Sequence, residues 1–526
     1  MIRVLTVGFV LGCVLLSPAI AQAQPPRVGD VVFQTDFEEG NPLAGWAGAG
    51  RIEPGYQSDH CIAFERLADA TTTSATGWIK LPVERLRGCL LHFHGMIKAE
   101  NVSEKPNSWN GVKFMVPITT PGGKLYPQAR IGTGTFDWQQ FVFPVRVPED
   151  AIDVQLYLGL EAVSGKAWFD NLRVVVRKLP FVPRPAATGG PVYRGHDLPR
   201  LRGAMISPNI TEESLRLLGQ EWKANLVRWQ LVGWRPQGQD FDLVAYDAWL
   251  ADQLAKLDAA LPLCEKYGLY VVVDLHNAPG GGPDSGKTLF SDRSCQNKFI
   301  ENWRMMARKY CHSRVVWGYD LVNEPLEDAV ADGVDDWQTL AERTAKAIRE
   351  IDSEHAIIVE APAGGNPYGL TQFNPIDVPK VVYSVHMYLP HSFTHQGVHG
   401  QWTKRYSYPG EIDGKHWDKT QLEAALKPAI DFQKRYNVHM YIGEFSAIRW
   451  APDNSAYRYL RDLIDLFEAN DWDWSYHAFR EWSGWSVEHG PDRDDTRPVD
   501  TPTDRQKLLL DWFAKNRKPA WMGEPG

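Results

Sequence analysis

Two glutamates in the C-terminal half of the chain each end a short apolar run. Glu324 stands in WGYDLVNEP, residues 317–325, and Glu444 stands in MYIGEF, residues 440–445. Pro325 ends the first run, because proline cannot donate a hydrogen bond to a sheet. Burying a carboxylate at a strand end is costly unless the group does chemistry. Two such carboxylates in one site can act as proton donor and nucleophile on a glycosidic bond.

Polar side chains also follow the other predicted strands of this half. A core histidine or a structural ion pair would explain any one of them alone. Six polar strand ends indicate a site, because the carboxyl ends of parallel strands meet on one face. In chain order they are Arg228; Asp274, His276 and Asn277; Asn323 and Glu324; His386 and Tyr388; Glu444; and His477, Arg480, Glu481 and Trp482.

A retaining hydrolysis would give these side chains distinct roles. With Glu444 as nucleophile and Glu324 as acid/base, the two carboxyl groups should lie ~5–5.5 Å apart. Arg228 beside Glu444 would keep the nucleophile ionised, because an opposite charge lowers the pKa of a carboxyl group. Tyr388 could donate a hydrogen bond to Glu444. The predicted hydroxyl-binding residues are Asn323, placed for the sugar 2-OH, and His276 and His386 for neighbouring hydroxyls.

From about residue 200, β-prone runs alternate with amphipathic helical stretches. In residues 247–266, leucines recur every three or four positions, and Gly268 follows as a stop. Eight such runs predict a parallel (β/α)₈ TIM barrel, with an open doubly wound sheet as the alternative. The predicted strands are 202–206, 224–229, 269–275, 315–321, 356–360, 380–387, 438–443 and 472–479.

The first part of the chain has a different period. Residues 28–178 contain short alternating runs between turn residues, among them VVFQTDF, GVKFMVPI and DVQLYLGLE. This pattern predicts an antiparallel β-sandwich of ordinary domain size. Residues 179–195, rich in proline and glycine, are predicted to link the sandwich to the barrel domain at residues 196–518. We therefore expect a multidomain chain.

Composition and the N-terminus restrict the partners and the location. The net charge is -9, whereas a nucleic-acid surface needs a basic excess, so nucleic acid is not an expected partner. The 21 Trp favour a carbohydrate partner. Residues 1–23 combine Arg3, a short apolar stretch and small-x-small cleavage sites, which predicts a signal peptide and a secreted or periplasmic protein. Residues 10–13, VLGC, leave a lipoprotein open as the alternative.

We expect no other segment to enter the membrane, and we expect a monomer. Five cysteines follow residue 23, so at least one is unpaired. Cys61 and Cys89 could form a disulfide in an oxidising compartment. The cysteine spacings do not resemble a zinc site.

The ordered motifs of the second half resemble those of glycoside hydrolase family 5. The resemblance is carried by Arg228, DLH at 274–276, NEP at 323–325, HMY at 386–388 and IGEF at 442–445. It spans about residues 196–518 and implies a retaining glycosidase, with Glu324 as acid/base, Glu444 as nucleophile and no required cofactor. The family usually shows a tryptophan under the sugar at the eighth strand. Here the candidates for that position are His477, in the simplest register, and Trp482.

Residues 28–178 resemble the jelly-roll carbohydrate-binding modules, mainly in the runs FDW, VPEDA and WFDNL. The resemblance implies a polysaccharide-binding sandwich. Asp36 and Glu38 could hold a structural Ca²⁺, which prefers oxygen ligands, although a solvated turn explains them as well. Core packing is the alternative for each of the candidate sugar-stacking residues, which are Trp78, Trp109 and Trp138.

Two further motifs suggest other chemistry. Residues 281–288, GGPDSGKT, match the phosphate-binding pattern GxxxxGK[ST]. A nucleotide loop should follow its strand directly, but residues 276–280 intervene and Pro283 lies inside, so a loop beside the cleft is favoured. His391, His395 and His399 in the loop after the sixth strand could bind zinc, but contacts to sugars or a plain surface loop are favoured.

These observations predict a secreted retaining glycosidase that acts on a β-linked polysaccharide. An endo-β-1,4-glucanase, or cellulase, is the expected activity, because it is frequent in the family that the chain resembles. A β-mannanase or a β-1,3-glucanase is the alternative, the latter supported by DLHNAPGG at 274–281. A non-catalytic polysaccharide-binding protein is the alternative of another class, and the intact Glu324 and Glu444 argue against it.

Overall fold

The computed structural model describes residues 25–48, 50–235, 242–280, 288–327, 329–398 and 402–522. The chain forms two compact units, Met1–Phe181 and Val182–Gly526. The predicted signal peptide, His399 and nearly all of the GxxxxGK motif lie outside the described residues. No helix in the described ranges is long and apolar enough to cross a membrane.

The first unit is an antiparallel β-sandwich. Its strands are β1 Val31–Thr35, β2 Ala47–Gly48, β3 Arg51–Glu53, β4 Cys61–Arg66, β5 Ser74–Lys80, β6 Leu90–Val102, β7 Gly111–Met115, β8 Ile118–Thr120, β9 Gly123–Leu125, β10 Gly134–Arg146, β11 Asp153–Glu161 and β12 Gly165–Lys178, with one short helix, α1 Val83–Leu86. One sheet has the order β10-β6-β12-β4-β3 with β1 on β12, and the other β2-β5-β11-β8-β9 with β7 on β11.

Alternation along the strands builds the sandwich core. Leu91, Phe93 and Ile97 of β6 are fully buried, as the period of two in a strand requires. Cys61 and Cys89 are free buried thiols, so the disulfide considered from the sequence is not formed. The two thiols belong to different apolar clusters, which explains why they do not meet.

The second unit contains a closed parallel barrel. Its strands are β13 Arg202–Ile206, β14 Leu226–Gln230, β15 Tyr270–Asp274, β16 Val316–Asp320, β17 Ala356–Glu360, β18 Val381–Met387, β21 His439–Phe445 and β22 Asp473–Phe479, and a separate hairpin is formed by β19 Gly410–Ile412 and β20 Lys415–Trp417. Because β13 pairs with both β14 and β22, the sheet closes, and the open sheet is excluded. The predicted barrel is confirmed.

Helices alternate with the barrel strands. In the longest, the Asp242 side chain accepts a hydrogen bond from the Ala245 amide, and Gly268 ends the helix in the left-handed conformation, with φ 68°. The predicted leucine stripe is on its buried face. The α-helices of this unit are α2 Glu212–Arg216, α3 Leu243–Tyr267, α4 Arg293–Tyr310, α5 Trp337–Arg349, α6 His391–Thr394, α7 Lys419–Tyr436, α8 Ser455–Ala469 and α9 Asp504–Phe513.

The chain before β13 is anchored to the barrel unit. The Arg184 amide donates to Asn374 Oδ1 at 2.8 Å, and the Trp317 indole donates to the Arg194 carbonyl at 2.8 Å. At the amino end of β22, Asp473 Oδ2 lies 2.7 Å from Nε2 of both His196 and His439. These contacts hold the proline-rich segment from Val182 onward against the amino-terminal side of the barrel.

Candidate active site

Glu324 and Glu444 meet at the carboxyl end of the barrel. Glu444 is the sixth residue of β21, and Glu324 follows β16. A carboxylate oxygen of each glutamate and a ring nitrogen of His386 lie within 4.8 Å of one another. Such a short separation fits the ~5–5.5 Å of two carboxyl groups in a retaining site and not the ~6.5–9.5 Å of an inverting one.

An unusual backbone conformation presents Glu324 to the cleft. Its φ is 47°, in the left-handed region that non-glycine residues rarely adopt. The Glu324 amide donates a hydrogen bond to Glu360 Oε2 at 2.8 Å, which holds this conformation. The Glu324 side chain is 41% exposed, and its carboxyl group lies 3.0 Å from His386 Nδ1. It can therefore reach a bound molecule while its orientation stays fixed.

Arg228 on β14 is the centre of the buried network. Its guanidinium donates to Glu444 Oε1 at 2.7 Å, to Asp320 Oδ2 at 2.9 Å and to Glu360 Oε1 at 2.8 Å. It also lies 3.1 Å from Asp274 Oδ1. Burial lowers the pKa of Arg228, but these four carboxylates outweigh it and raise the pKa well above its ordinary value. One cation thus faces four acids.

Glu444 is held in its ionised form. Burial alone would raise its pKa, but the positive charges of His386, His477 and Arg228 lower that pKa well below its ordinary value. The Tyr388 hydroxyl donates to Glu444 Oε2 at 2.8 Å, opposite the oxygen that Arg228 binds. Both oxygens are therefore oriented, and the group keeps the negative charge that a nucleophile needs.

Two acids of the network were not predicted as site residues. Asp320 ends β16 inside the WGYDLVNEP stretch, and Glu360 ends β17. Burial and the charge of Glu360 raise the pKa of Asp320 well above its ordinary value, against the opposing effect of Arg228. The signal available in the sequence was an acid at the end of each apolar run, which is the same signal that identified Glu324 and Glu444.

The predicted polar residues occupy different positions around this network. Asn323 Oδ1 accepts from Arg228 at 3.1 Å, and His276 Nδ1 lies 2.9 Å from Asp274 Oδ2. His386 is buried, with Nδ1 facing Glu324 and Nε2 3.2 Å from Glu360 Oε1. Asn277, also at a predicted strand end, accepts from the Gly233 and Trp234 amides and so fixes the loop after β14.

Aromatic side chains surround one side of the site. Trp482 is 40% exposed, and its ring contacts Trp450 and Trp485 edge to face. Trp485 is buried and lies 5.9 Å from the His477 ring. Trp229, beside Arg228 on β14, is 1% exposed and part of the core. Trp482 thus has the accessible ring area that sugar stacking requires.

Two clusters of potential metal ligands occur in the described residues, and in both the ligand atoms already bond protein groups. In the first, Glu324, His386 and Glu444, the cation Arg228 is already 2.7 Å from Glu444. In the second, His196, His439 and Asp473, both imidazoles bond one carboxylate oxygen, as in an ordinary hydrogen-bonded network. Asp36 and Glu38 form no such cluster, and Glu38 lies 3.2 Å from His60, so the Ca²⁺ site stays a prediction.

Comparison with known proteins assigns the barrel to a family. The cellulase model of glycosyl hydrolase family 5 matches residues 187–489. The chain belongs to glycoside hydrolase family 5. It is a retaining glycosidase of the cellulase type, as the resemblance implied, and family 5 enzymes generally need no cofactor. The match begins at residue 187, so it does not include the sandwich.

Individual proteins are similar to part of this chain. Endoglucanase C of Acetivibrio thermocellus is 32% identical over 247 residues, which are 42% of this chain and 71% of the relative. Cellodextrinase A of Ruminococcus flavefaciens is 28% identical over 243 residues, 44% of this chain and 70% of the relative. The Thermotoga maritima Cel5A structure with cellobiose covers 59% of this chain and 97% of its own, at 22% identity and a TM-score of 0.47.

Proposed function

We propose that the protein is a secreted endo-β-1,4-glucanase with Glu324 as acid/base and Glu444 as nucleophile. The observation that carries this assignment is the difference between the two glutamates. Glu444 is buried between Arg228 and Tyr388, which keeps it charged and oriented. Glu324 is partly exposed. Among the described residues, its carboxyl group contacts one side chain, the ring of His386.

The geometry supports a two-step reaction. In the first step, Glu324 gives its proton to the leaving oxygen while Glu444 attacks the anomeric carbon and forms a glycosyl–enzyme ester. In the second step, Glu324 takes a proton from water, which attacks the same carbon and releases Glu444. His386 orients Glu324 in both steps. The charge on Glu444 is restored next to Arg228, which stabilises it.

Other side chains would bind the sugar. Asn323 uses its oxygen on Arg228, which leaves its amide group to donate to the sugar 2-OH. His276 is held by Asp274 through Nδ1, so Nε2 is available for a neighbouring hydroxyl. A direct substrate contact of His386 stays a prediction, because both of its nitrogens face carboxylates. Trp482 would stack on an apolar sugar face.

The substrate class is tested by a product profile. Purified enzyme is incubated with cellulose, glucomannan, xyloglucan and a β-1,3-glucan, and with Glu444→Gln as the blank. We expect soluble β-1,4-glucan to lose viscosity early and to release a series of oligosaccharides. Preference for the mannan or the β-1,3-glucan would replace the glucanase assignment by one of its alternatives, and a single short product from the start would replace endo by exo cleavage.

We propose further that the sandwich binds polysaccharide through one sheet. Trp78 on β5 pairs directly with Tyr157 on β11, so both rings lie on one face. Trp109 is 60% exposed beside this sheet, and its carbonyl accepts from Lys113 Nζ on β7. Trp138 belongs to the other sheet and packs 5.9 Å from Tyr56. Rings next to hydrogen-bonding side chains suit a sugar chain, which has flat apolar faces and polar edges.

The sandwich proposal is tested in full-length Glu444→Gln, which cannot degrade its ligand. Trp109→Ala in this background should lower the amount bound to insoluble cellulose about 10-fold, since stacked aromatic rings carry much of such binding. Trp138→Ala is the matched control on the other sheet and should bind as before. Equal binding by all three proteins would leave the barrel as the binding unit.

Secretion is tested at the N-terminus of the exported protein. Expression from the full gene in a Gram-negative host should yield a periplasmic or extracellular protein whose first residue follows Ala21 or Ala23. A mature terminus at a lipid-modified Cys13 would instead support the lipoprotein alternative. Intact Met1 on a cytoplasmic protein would contradict the proposed location.

A further inference from the structure

The eighth barrel strand ends with an imidazole beside the proposed nucleophile. His477 lies on β22 and is one of the two candidates for the position of the family's usual tryptophan, and its side chain is largely buried. Its Nδ1 lies 3.3 Å from Glu444 Oε2 and also contacts the Tyr388 hydroxyl. The usual tryptophan would offer a flat apolar floor. The ring of His477 instead places a titratable nitrogen against the carboxylate.

The other side of the same ring faces a second acid. His477 Nε2 is buried and lies 3.5 Å from Glu481 Oε2, with no hydrogen-bond partner among the described residues. Glu481 Oε2 also accepts a hydrogen bond from Gln230 Nε2 on β14, at 2.7 Å. Gln230, Glu481, His477 and Glu444 thus form a continuous polar chain that ends at the nucleophile.

We propose that His477 is a charged positioning residue for the nucleophile, with its ring aligned by Glu481 so that Glu444 stays ionised and correctly oriented. The proposal rests on the proposed role of Glu444. A purely structural role would require only that the ring fill the space below the sugar. The geometry favours a charged role, because both nitrogens face carboxylate oxygens and a neutral imidazole can donate through only one of them.

The charge balance agrees with the geometry. Burial lowers the pKa of His477, but Glu444 and Glu481 outweigh it and raise the pKa to about 10. The ring is therefore an imidazolium at neutral pH. Other charged or titratable groups also act on Glu444, namely Arg228, Glu324, His386, Tyr388 and His276. Three more acids surround Arg228, namely Asp274, Asp320 and Glu360.

A charge at His477 has a consequence for the pH profile. Only ionised Glu444 can attack the anomeric carbon, so kcat/KM falls as the pH drops through the pKa of Glu444 in the free enzyme. A positive charge at His477 lowers this pKa. Replacing His477 by a neutral residue should therefore move the acid limb of the profile to higher pH, by about one unit.

Glu481 should behave in the opposite way. Near the acid limb, His477 is protonated with or without Glu481, because the ordinary pKa of histidine lies higher. Glu481→Gln removes only a negative charge that opposes the ionisation of Glu444. Its acid limb should stay in place or move to lower pH. Its kcat should still fall several-fold, because the His477 ring loses the carboxylate that aligns it.

The experiment compares pH profiles of kcat/KM for wild type, His477→Gln, His477→Lys and Glu481→Gln on a soluble aryl cellobioside. We expect His477→Gln to raise the acid limb by about one unit. His477→Lys, which restores a positive charge, should shift the limb less. Glu488→Gln is the matched control, because Glu488 lies in the same loop but pairs with Arg480 at 2.8 Å, and it should leave the profile unchanged.

An unchanged acid limb in His477→Gln would overturn the proposal, and so would the same upward shift in Glu481→Gln. Circular dichroism melting curves show whether each variant folds, and His477→Asn is the second neutral variant should His477→Gln not fold. Labelling of wild type with a 2-fluoro glycoside separates this proposal from the proposed function. A label on a residue other than Glu444 refutes the nucleophile assignment, whereas a label on Glu444 with an unshifted limb refutes only the role of His477.

Discussion

The two ends of the barrel both bury charged groups, but they differ in the ratio of acidic to basic side chains. At the amino end, Asp473 accepts from the Leu201 amide at 2.7 Å and contacts two imidazoles. At the carboxyl end, Arg228 alone faces four carboxylates. At the amino end, two imidazoles surround one acid whose two oxygens both accept hydrogen bonds. At the carboxyl end, several acids share Arg228 and the two histidines His386 and His477, whose pKa values are raised.

The pKa directions express this difference. Burial would raise the pKa of Asp473, but His196 and His439 lower it well below the ordinary value, so this acid is ionised and stable. At the carboxyl end, burial and Glu360 raise the pKa of Asp320, whereas the pKa of Glu444 is lowered. Neighbouring acids at this end therefore differ widely in proton affinity. Crowding several carboxyl groups together does not by itself stabilise the fold. It gives these carboxyl groups different pKa values, which acid–base chemistry needs.

The largest expected effect comes from the proposed nucleophile. Glu444→Gln should reduce kcat by about 10⁴-fold or more, because an amide cannot form the proposed ester with the anomeric carbon. Its melting temperature should fall as well, because the lowered pKa of Glu444 means that its ionised carboxylate stabilises the fold. Activity assays and melting curves on the same preparation measure both. Activity that stays near the wild-type level in the folded variant would contradict the assigned role.

Loss of the acid/base should be smaller and should depend on the leaving group. Glu324→Gln should lower kcat on polysaccharide by about 10²–10⁴-fold. The loss in the first step should be much smaller for an aryl glycoside with an acidic phenol, because that leaving group needs no proton. Kinetics on a series of aryl cellobiosides measure the dependence. An equal loss for all leaving groups would contradict the assigned role.

A substitution at the amino end of the barrel should lower the free energy of unfolding and leave kcat unchanged. Asp473→Asn leaves two buried imidazoles without their charged partner and should destabilise the fold by about 3–5 kcal/mol. The kcat of the molecules that remain folded should match wild type. Denaturant unfolding and active-site titration measure the two quantities. A large fall in kcat per folded molecule would mean that the two ends are not independent.

The pH dependence of stability should have opposite signs at the two ends. Asp473 has a lowered pKa in the folded state, so its contribution is present above the unfolded pKa of about 3.9 and is lost as the pH falls. Asp320 has a raised pKa, so it costs stability as the pH rises above the same value. Asp320→Asn should thus gain about 1–2 kcal/mol at pH 8 and little at pH 4.

Unfolding curves of Asp320→Asn and Asp473→Asn between about pH 2 and pH 8 measure this contrast. The deficit of Asp473→Asn relative to wild type should stay constant above about pH 4 and shrink below it, whereas the gain of Asp320→Asn should shrink as the pH falls from about 8 towards 4. Parallel curves for both variants would show that the proton balance does not distinguish the two ends.

The sequence was sufficient for the barrel and for most of its polar strand ends. Strand periodicity located all eight barrel strands within a few residues, because parallel strands buried on both faces are continuous apolar runs. A charged or imidazole side chain at or just after the end of such a run marks the carboxyl end. Glu324, Glu444 and Arg228 were found in this way, and the structure brings them together.

The features that the sequence did not indicate are contacts and burial, which depend on distances across the barrel. Glu360 carried the same strand-end signal as Glu444, but its bond to Arg228 joins strands that are not neighbours in the sheet. Trp229 and Trp482 both follow polar strand ends, and only packing shows that the first is buried and the second is exposed. Such differences arise from loop paths and side-chain packing, which periodicity does not encode.

The central claim is that Glu444 forms the covalent intermediate while Glu324 transfers the proton. The most direct test is inactivation with a 2-deoxy-2-fluoro-cellobioside that carries a good leaving group, followed by peptide mass spectrometry. The account predicts one sugar per protein, attached to Glu444 in the peptide that contains MYIGEF. A label on Glu360, Glu324 or any other residue, or rapid turnover with no label at all, would contradict it.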